Sequence, residues 1–307
     1  MIQSPEPPRS VLESAAVPAV PRASARPPLT SLPNRFFARL GTASPPLKRW
    51  LWRYWYDLLA GRYQQADWTF MNYGYAPMHS AARELPLAKA DEVHRYAIQL
   101  YEHVVSGVNL KDARVLEIGC GRGGGCSYLA RYRQPQSVLG IDISPRAIAF
   151  CRRVHPVAGL AFQQGDAEAL PCSSEAFDVV LNVESSHCYG SLPAFVDEVF
   201  RVLQPGGYFL WADLVSEERM AAARRQFAAA GFRCRDETVI TPNVLRALDM
   251  DSAQRREMIH RLVPRFMAPC VEDFAGVSGT RVYESLRAET IQYVSSILQK
   301  PGPARGH

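Results

Sequence analysis

No two of the seven cysteines in this chain stand at CxxC spacing, and their number is odd. A zinc or disulfide framework is therefore not expected, no metal site is expected, and a reducing, cytoplasmic compartment is the expected setting. No run of about 18 or more uncharged apolar residues occurs, so no segment is expected to span a bilayer. Net charge is scarce once it is located. Of the 35 basic and 30 acidic residues, Arg9, Arg22, Arg26, Arg35, Arg39, Lys48 and Arg49 face only Glu6 and Glu13 in residues 1–49, and the rest of the chain balances. A neutral body gives no reason to expect a nucleic-acid partner.

Residues 1–45 mix proline with alanine, serine and arginine and show neither a helical nor a strand period, which reads as a disordered tail. Residues 46–110 read as an N-terminal helical cap. Within it, Lys48 to Tyr63 packs three Trp and three Tyr into one expected helix ending near Gly61. Such a helix can cap the core, or serve as a lid that makes peripheral membrane contact, because Trp, Tyr and Arg suit a wet boundary. Asp67 to Tyr75 follows as a loop. The spacing then predicts a helix over Asp91–Val105 with Val93, Ala97, Leu100, Tyr101 and Val104 on one side.

From residue 111 to 307 the chain alternates in the manner of a doubly wound α/β sheet. Strands are expected at 114–118, 138–142, 160–164, 177–182 and 207–213, with helices at about 124–133, 145–154 and 192–203 between them. Gln204-Pro-Gly-Gly207 reads as a turn, and a sixth and a seventh strand are expected at 233–240 and 290–299. Residues 243–275 are too long and too periodic for a loop. With Val244, Leu248, Ile259, Leu262, Val263 and Phe266 as apolar anchors, they read as a helical insertion over the active-site edge.

The chemistry gathers at strand ends. After the first strand, Gly119, Gly121 and Gly123 can take positive φ and let a ligand lie against bare backbone beside a helix N-terminus. Glu117, two positions before the first glycine, would repel a pyrophosphate but can pair with a ligand ammonium. The second strand ends in Asp142, at the distance from the glycines expected of a ribose-hydroxyl acceptor, and Asp166-Ala167 follows the third. The fourth strand runs into Asn182-Val-Glu-Ser-Ser-His-Cys-Tyr189 and the fifth into Trp211-Ala-Asp213. Those ends are neighbours in a doubly wound sheet, and a histidine held by a carboxylate is the usual form of a general base near neutral pH.

The run Glu117 to Gly123 resembles the first motif, E/D-x-G-x-G-x-G, of the class I S-adenosylmethionine (SAM) dependent methyltransferases. The resemblance implies a mostly parallel, seven-stranded Rossmann-like sheet with helical lid elements, and SAM as cofactor. By it, Gly119, Gly121, Gly123 and Glu117 back the cofactor, Asp142 with Ile143 takes the ribose, and Asp166 with the Ala167 amide holds the adenine edge. Asn182 and Tyr73 complete the expected cofactor contacts, Tyr73 or Tyr75 facing the sulfonium. The segments MNYGY at 71–75, RYAIQLYEH at 95–103, GGGCSYLA at 123–130, NVESSHCY at 182–189, RVLQPGGYFLWADL at 201–214 and FAGVSGTRVYESL at 274–286 narrow the likeness. They resemble bacterial methyltransferases acting on lipid and polyketide hydroxyls, typified by the phthiotriol and phenolphthiotriol dimycocerosates methyltransferases. That likeness implies O-methylation of a hydroxyl on a hydrophobic secondary metabolite, a polyketide or lipid, with His187 and Asp213 as the base pair. C-methylation of a sterol- or prenylquinol-like ring, and a non-catalytic SAM-binding scaffold, are the alternatives.

Overall fold

A computed structural model describes residues 68–78, 85–265 and 267–302. The tail expected at 1–45 and the tryptophan-rich helix expected at 48–63 lie outside the described residues. Seven strands form one sheet in the order β3-β2-β1-β4-β5-β7-β6. They are β1 (Arg114–Ile118), β2 (Ser137–Asp142), β3 (Leu160–Gln164), β4 (Phe177–Val183), β5 (Leu203–Val215), β6 (Arg233–Val239) and β7 (Gln292–Gln299). The first five run parallel, and β7 inserts antiparallel between β5 and β6. The expected doubly wound, mostly parallel seven-stranded sheet is the fold.

The central strands are mostly apolar because helices cover both faces of the sheet. Val115, Leu116, Ile118, Val180, Leu181, Phe209, Leu210 and Trp211 are all but sealed from solvent. Three crossover helices, α2 (Gly124–Tyr132), α3 (Pro145–Val154) and α4 (Leu192–Val202), return the chain between the parallel strands, preceded by α1 (Arg95–Val105) and followed by α5 (Glu217–Ala229). Their starts are written locally. Ser144 and Ser191 each accept the backbone N–H three residues on, at 3.1 and 3.2 Å, with a proline at or beside the first helical position. Capping of this kind contributes about 1 kcal/mol per site.

Beyond β6 lie α6 (Thr241–Leu262), α7 (Ala268–Phe274) and α8 (Arg281–Arg287). Val244, Leu248, Ile259 and Val263 are buried as expected, Leu262 is only partly so, and the side chain of Phe266 lies outside the described residues. Three local expectations are corrected. Lys89–His94 forms a 3-10 turn ahead of α1, and because that turn advances a third of a circle per residue it rotates Val93 off the apolar face. Val93 is 55% exposed, whereas Ala97, Leu100, Tyr101 and Val104 are buried. Gln204–Gly207 is part of β5 rather than a turn between elements: Leu203 pairs with Phe177, the register with β4 then shifts, and Gly206 N–H donates to Lys300 O on the β7 side. The sixth strand stops at Val239, where buried Ile240 opens α6.

The strand order reverses direction between β1 and β4. Ligands of open α/β sheets bind beyond the carboxyl ends of the strands at such a point.

Candidate active site

A cavity opens over the carboxyl ends of β1, β2, β3, β4 and β5. Its floor is the loop from β1 to α2. Gly119 and Cys120 N–H both donate to Ile141 O, at 2.8 and 3.0 Å, which ties this loop to β2. Gly119, Gly121 and Gly123 have φ of +74°, +52° and +77°, the left-handed region that side chains other than glycine rarely adopt. At Gly123 space adds to the constraint, since a Cβ would meet the Phe162 ring at 2.8 Å and His155 at 2.9 Å. Gly121 is different: a Cβ there would find only Met71 Sδ at 3.9 Å. The bare backbone at Gly121 therefore fronts open cavity, as a ligand lying on the main chain requires.

Asp142, Ile143, Asp166 and Ala167 line the same cavity. Asp142 is pinned by its neighbours: Oδ2 accepts from Gly121 N–H and Oδ1 from Ser144 N–H, both at 2.9 Å. Burial pushes its carboxyl up to about 6, against those two hydrogen bonds. Asp166 Oδ1 accepts from Glu168 N–H at 2.9 Å, shaping the turn after β3.

Three expected cofactor contacts, Gly123, Glu117 and Asn182, do not reach the cavity wall. Glu117 is fully buried behind the glycine loop, where Oε1 accepts from Tyr101 OH at 2.6 Å and Oε2 from Cys126 Sγ at 2.9 Å. Desolvation raises it to about 7. It is a carboxylate beneath the site rather than one facing a ligand, because strand alternation turns it toward α1 and α2. Asn182 is likewise sealed, its Nδ2 within hydrogen-bond distance of Ile118 O (2.9 Å), Ser185 Oγ (2.7 Å) and Tyr189 OH (2.9 Å), which share its two N–H groups. It braces the ends of β1 and β4.

At the other side of the cavity, the segment after β4 turns through a short 3-10 helix, Ser186–Cys188. His187 lines the cavity, with Nδ1 2.7 Å from Asp213 Oδ1. Asp213 has no exposure and also accepts from His187 N–H at 3.0 Å, Ser186 Oγ at 2.5 Å and Leu214 N–H at 2.8 Å. The aspartate stays below its usual range although burial works to raise it, because His187 and these donors favour the charged form. Burial works to lower the ring of His187, but Cys188 and Asp213 outweigh it and hold the histidine well above its ordinary value. The two residues expected to work together are in contact.

Tyr73 lines the cavity from the loop ahead of α1, its OH donating to Phe274 O at 3.0 Å. Its N–H donates at 2.7 Å to Glu184, a residue that sequence reasoning passed over. Glu184 lines the cavity at φ +48°, a conformation no pattern in the residues announces, and burial raises it to about 7. Ser185, Tyr189 and Tyr101 are further lining residues missed from sequence. Tyr189 stood in a motif already singled out, so its spacing from His187 was the available signal.

Comparison with known proteins agrees with this geometry. Residues 116–211 match the family model described as a methyltransferase domain. The chain is 40% identical over 240 residues, 78% of its length and 92% of the relative's, to a probable phthiotriol/phenolphthiotriol dimycocerosates methyltransferase 2 of Mycobacterium ulcerans. It is 38% identical over 246 residues, 80% of its length and 88% of the relative's, to a fatty-acid O-methyltransferase of Mycolicibacterium smegmatis. Among solved structures, a geranyl diphosphate C-methyltransferase from Streptomyces coelicolor, in complex with Mg2+, geranyl diphosphate and S-adenosyl-L-homocysteine, matches with a TM-score of 0.58. It is 19% identical and covers 80% of this chain and 98% of that one, a likeness of fold. Among the described residues no group of three or more His, Cys, Asp or Glu is placed to hold a metal ion, and no helix is long and apolar enough to cross a membrane.

Proposed function

The chain belongs to the phthiotriol/phenolphthiotriol dimycocerosates methyltransferase family of class I SAM-dependent methyltransferases, and from that premise we propose that it methylates a hydroxyl oxygen on a hydrophobic, lipid- or polyketide-like acceptor. The observation that carries this reading is His187, backed by the buried Asp213, opening on the same cavity as the glycine loop and Asp142. Gly119 and Gly121 would lie along the cofactor, with Gly123 holding the turn behind them, Asp142 with Ile143 would take the ribose, and Asp166 with Ala167 the adenine. When bound, SAM supplies an electrophilic methyl group on a sulfonium.

The chain's own residues would do the rest. An alcohol keeps its proton at neutral pH and is a poor nucleophile until a positioned group removes it. His187, in its neutral form, takes that proton at Nε2, while Asp213 fixes the ring through Nδ1 and stabilises the imidazolium. Most of the remaining acceleration comes from holding acceptor oxygen and methyl donor at near-attack distance. Tyr73 and Phe274, joined by a hydrogen bond, close the cavity on the side of α7. A second cavity of about 600 Å³ shares Phe70, Met71, Asn72 and Phe274 with the first, its wall mixing Trp68, Met258 and Ile259 with Asp251, Arg255 and Glu257.

The test is to incubate the protein with SAM carrying a 13C-labelled methyl group and long-chain secondary alcohols, then locate the label in the product by NMR. A methyl ether is expected. A methyl bound to carbon would replace this reading with C-methylation.

A further inference from the structure

Glu184 stands at the end of β4 with its backbone N–H donating to Ala212 O at 2.8 Å. Both hydrogen bonds to its side chain fall on Oε1, from Tyr73 N–H at 2.7 Å and from Tyr293 OH at 2.8 Å. Among the described residues no hydrogen bond is made to Oε2, and the side chain lines the cavity next to His187. The left-handed φ of +48° is costly for glutamate and is kept only because loop, β5 and β7 grip the residue together. One oxygen is therefore clamped and the other is presented to the cavity. Held at about 7 by burial, the carboxyl is mostly ionised at mildly alkaline pH. At this end the described lining residues include no Lys or Arg, and the one group there that can be cationic, His187, is paired at 2.7 Å with the Asp213 carboxylate, so the charge of Glu184 is left over. Arg122, the one arginine among the described lining residues, is buried, with its guanidinium carbon 3.8 Å from the centre of the Phe150 ring.

We propose that Glu184 is the specificity-determining residue of the acceptor site: Oε2 accepts a hydrogen bond from a neutral hydroxyl of the acceptor, and its charge turns away acceptors that arrive as carboxylates. A hydroxyl donates and a carboxylate cannot, so one anchored oxygen discriminates twice, by an unmade hydrogen bond and by like-charge repulsion in a closed site. This inference rests on the hydroxyl-acceptor reading above.

The experiment is calorimetric titration of the enzyme loaded with S-adenosylhomocysteine, at about pH 8 where Glu184 and a fatty acid are both ionised. The probes are 1,2-decanediol and decanoate, which share a chain length and differ in the head. The wild type should bind the diol at least about tenfold more tightly than decanoate, and Glu184→Gln should shrink that preference by about tenfold, chiefly through stronger decanoate binding. Unchanged S-adenosylhomocysteine affinity in Glu184→Gln would show that the variant is folded, and the wild-type comparison needs no variant at all. Equal or tighter binding of decanoate by the wild type overturns the inference, as does a folded Glu184→Gln with the preference intact. Either result leaves ether formation by the wild type standing, so the two readings fail separately. Binding of neither probe takes down the hydrophobic-hydroxyl reading and this inference with it.

Discussion

Asp213 Oδ1 lies 2.7 Å from Nδ1 of His187, across 26 residues of chain. The contact joins the end of β5 to the 3-10 turn after β4, and the aspartate is locked from behind. Ser186 Oγ donates to it, and that hydroxyl in turn accepts from Trp211 Nε1 at 2.9 Å. A carboxylate with this many donors keeps its charge in a sealed site, and its charge sets the histidine.

The first consequence is a pH profile. Only the neutral ring takes a proton, so kcat should climb with pH through an apparent pKa well above the free imidazole value of about 6.5. Asp213→Asn removes the charge that favours imidazolium, so the midpoint should move to lower pH while the plateau falls. His187→Ala should lower kcat by roughly 10²–10⁴ and leave cofactor affinity nearly intact. A loss under about tenfold, with profiles indifferent to both substitutions, would mean that neither residue serves the base step.

On the proposed reading, Asp142 bears on the cofactor alone. Its carboxylate lines the cavity between two backbone donors, placed to accept from ribose hydroxyls. Asp142→Ala should remove charge-assisted hydrogen bonds of about 1.5–3 kcal/mol each before water compensates, and weaken SAM at least about tenfold. Direct titration checks this, and an unchanged Kd removes Asp142 from the site.

The glycines should separate by what surrounds them. Gly123→Ala combines a left-handed φ, at about 1–2 kcal/mol, with a Cβ pressed to 2.8 Å from Phe162, and should destabilise the fold by about 2–4 kcal/mol in denaturant titration. Gly121→Ala carries only the backbone cost, about 1–2 kcal/mol, but its methyl enters the cavity. Its SAM affinity should fall by more than its stability. Equal stability losses in the two would count against the cradle.

Three carboxylates in or beneath the cavity, Glu117, Asp142 and Glu184, are raised to about 7, 6 and 7, in each case chiefly by burial. Each is neutral below its raised value and charged above it. A sulfonium cation favours the charged forms, whereas S-adenosylhomocysteine, which has no sulfonium, gains less. The preference for SAM over S-adenosylhomocysteine should therefore grow as pH rises through about 6 to 7. A ratio of the two Kd values that is flat across that range, by parallel titrations, would refute it.

Much of this was open to reading in the residues. The β1–α2 glycines, Asp142 and the serine caps are local features, since each strand, turn and cap is specified by neighbours a few positions away. His187 and Asp213 were legible as a pair because parallel-sheet topology makes the ends of β4 and β5 adjacent. Glu117 and Asn182 misled because strand position says that a side chain lies near a site but not which layer it enters. Glu117 turns to Tyr101 and Cys126, and Asn182 to the end of β1.

The sequence by itself determined the alternation of strands and helices, the glycine cradle and the family, because hydrophobic period and turn chemistry are carried by short segments. Only the tertiary structure decided which carboxylates meet the cavity and in what state. Glu184 owes its orientation to donors 111 and 109 residues away, Tyr73 and Tyr293. A polar group's ionisation and aim are set by what is buried around it, and burial is a property of the packed molecule rather than of any stretch of chain.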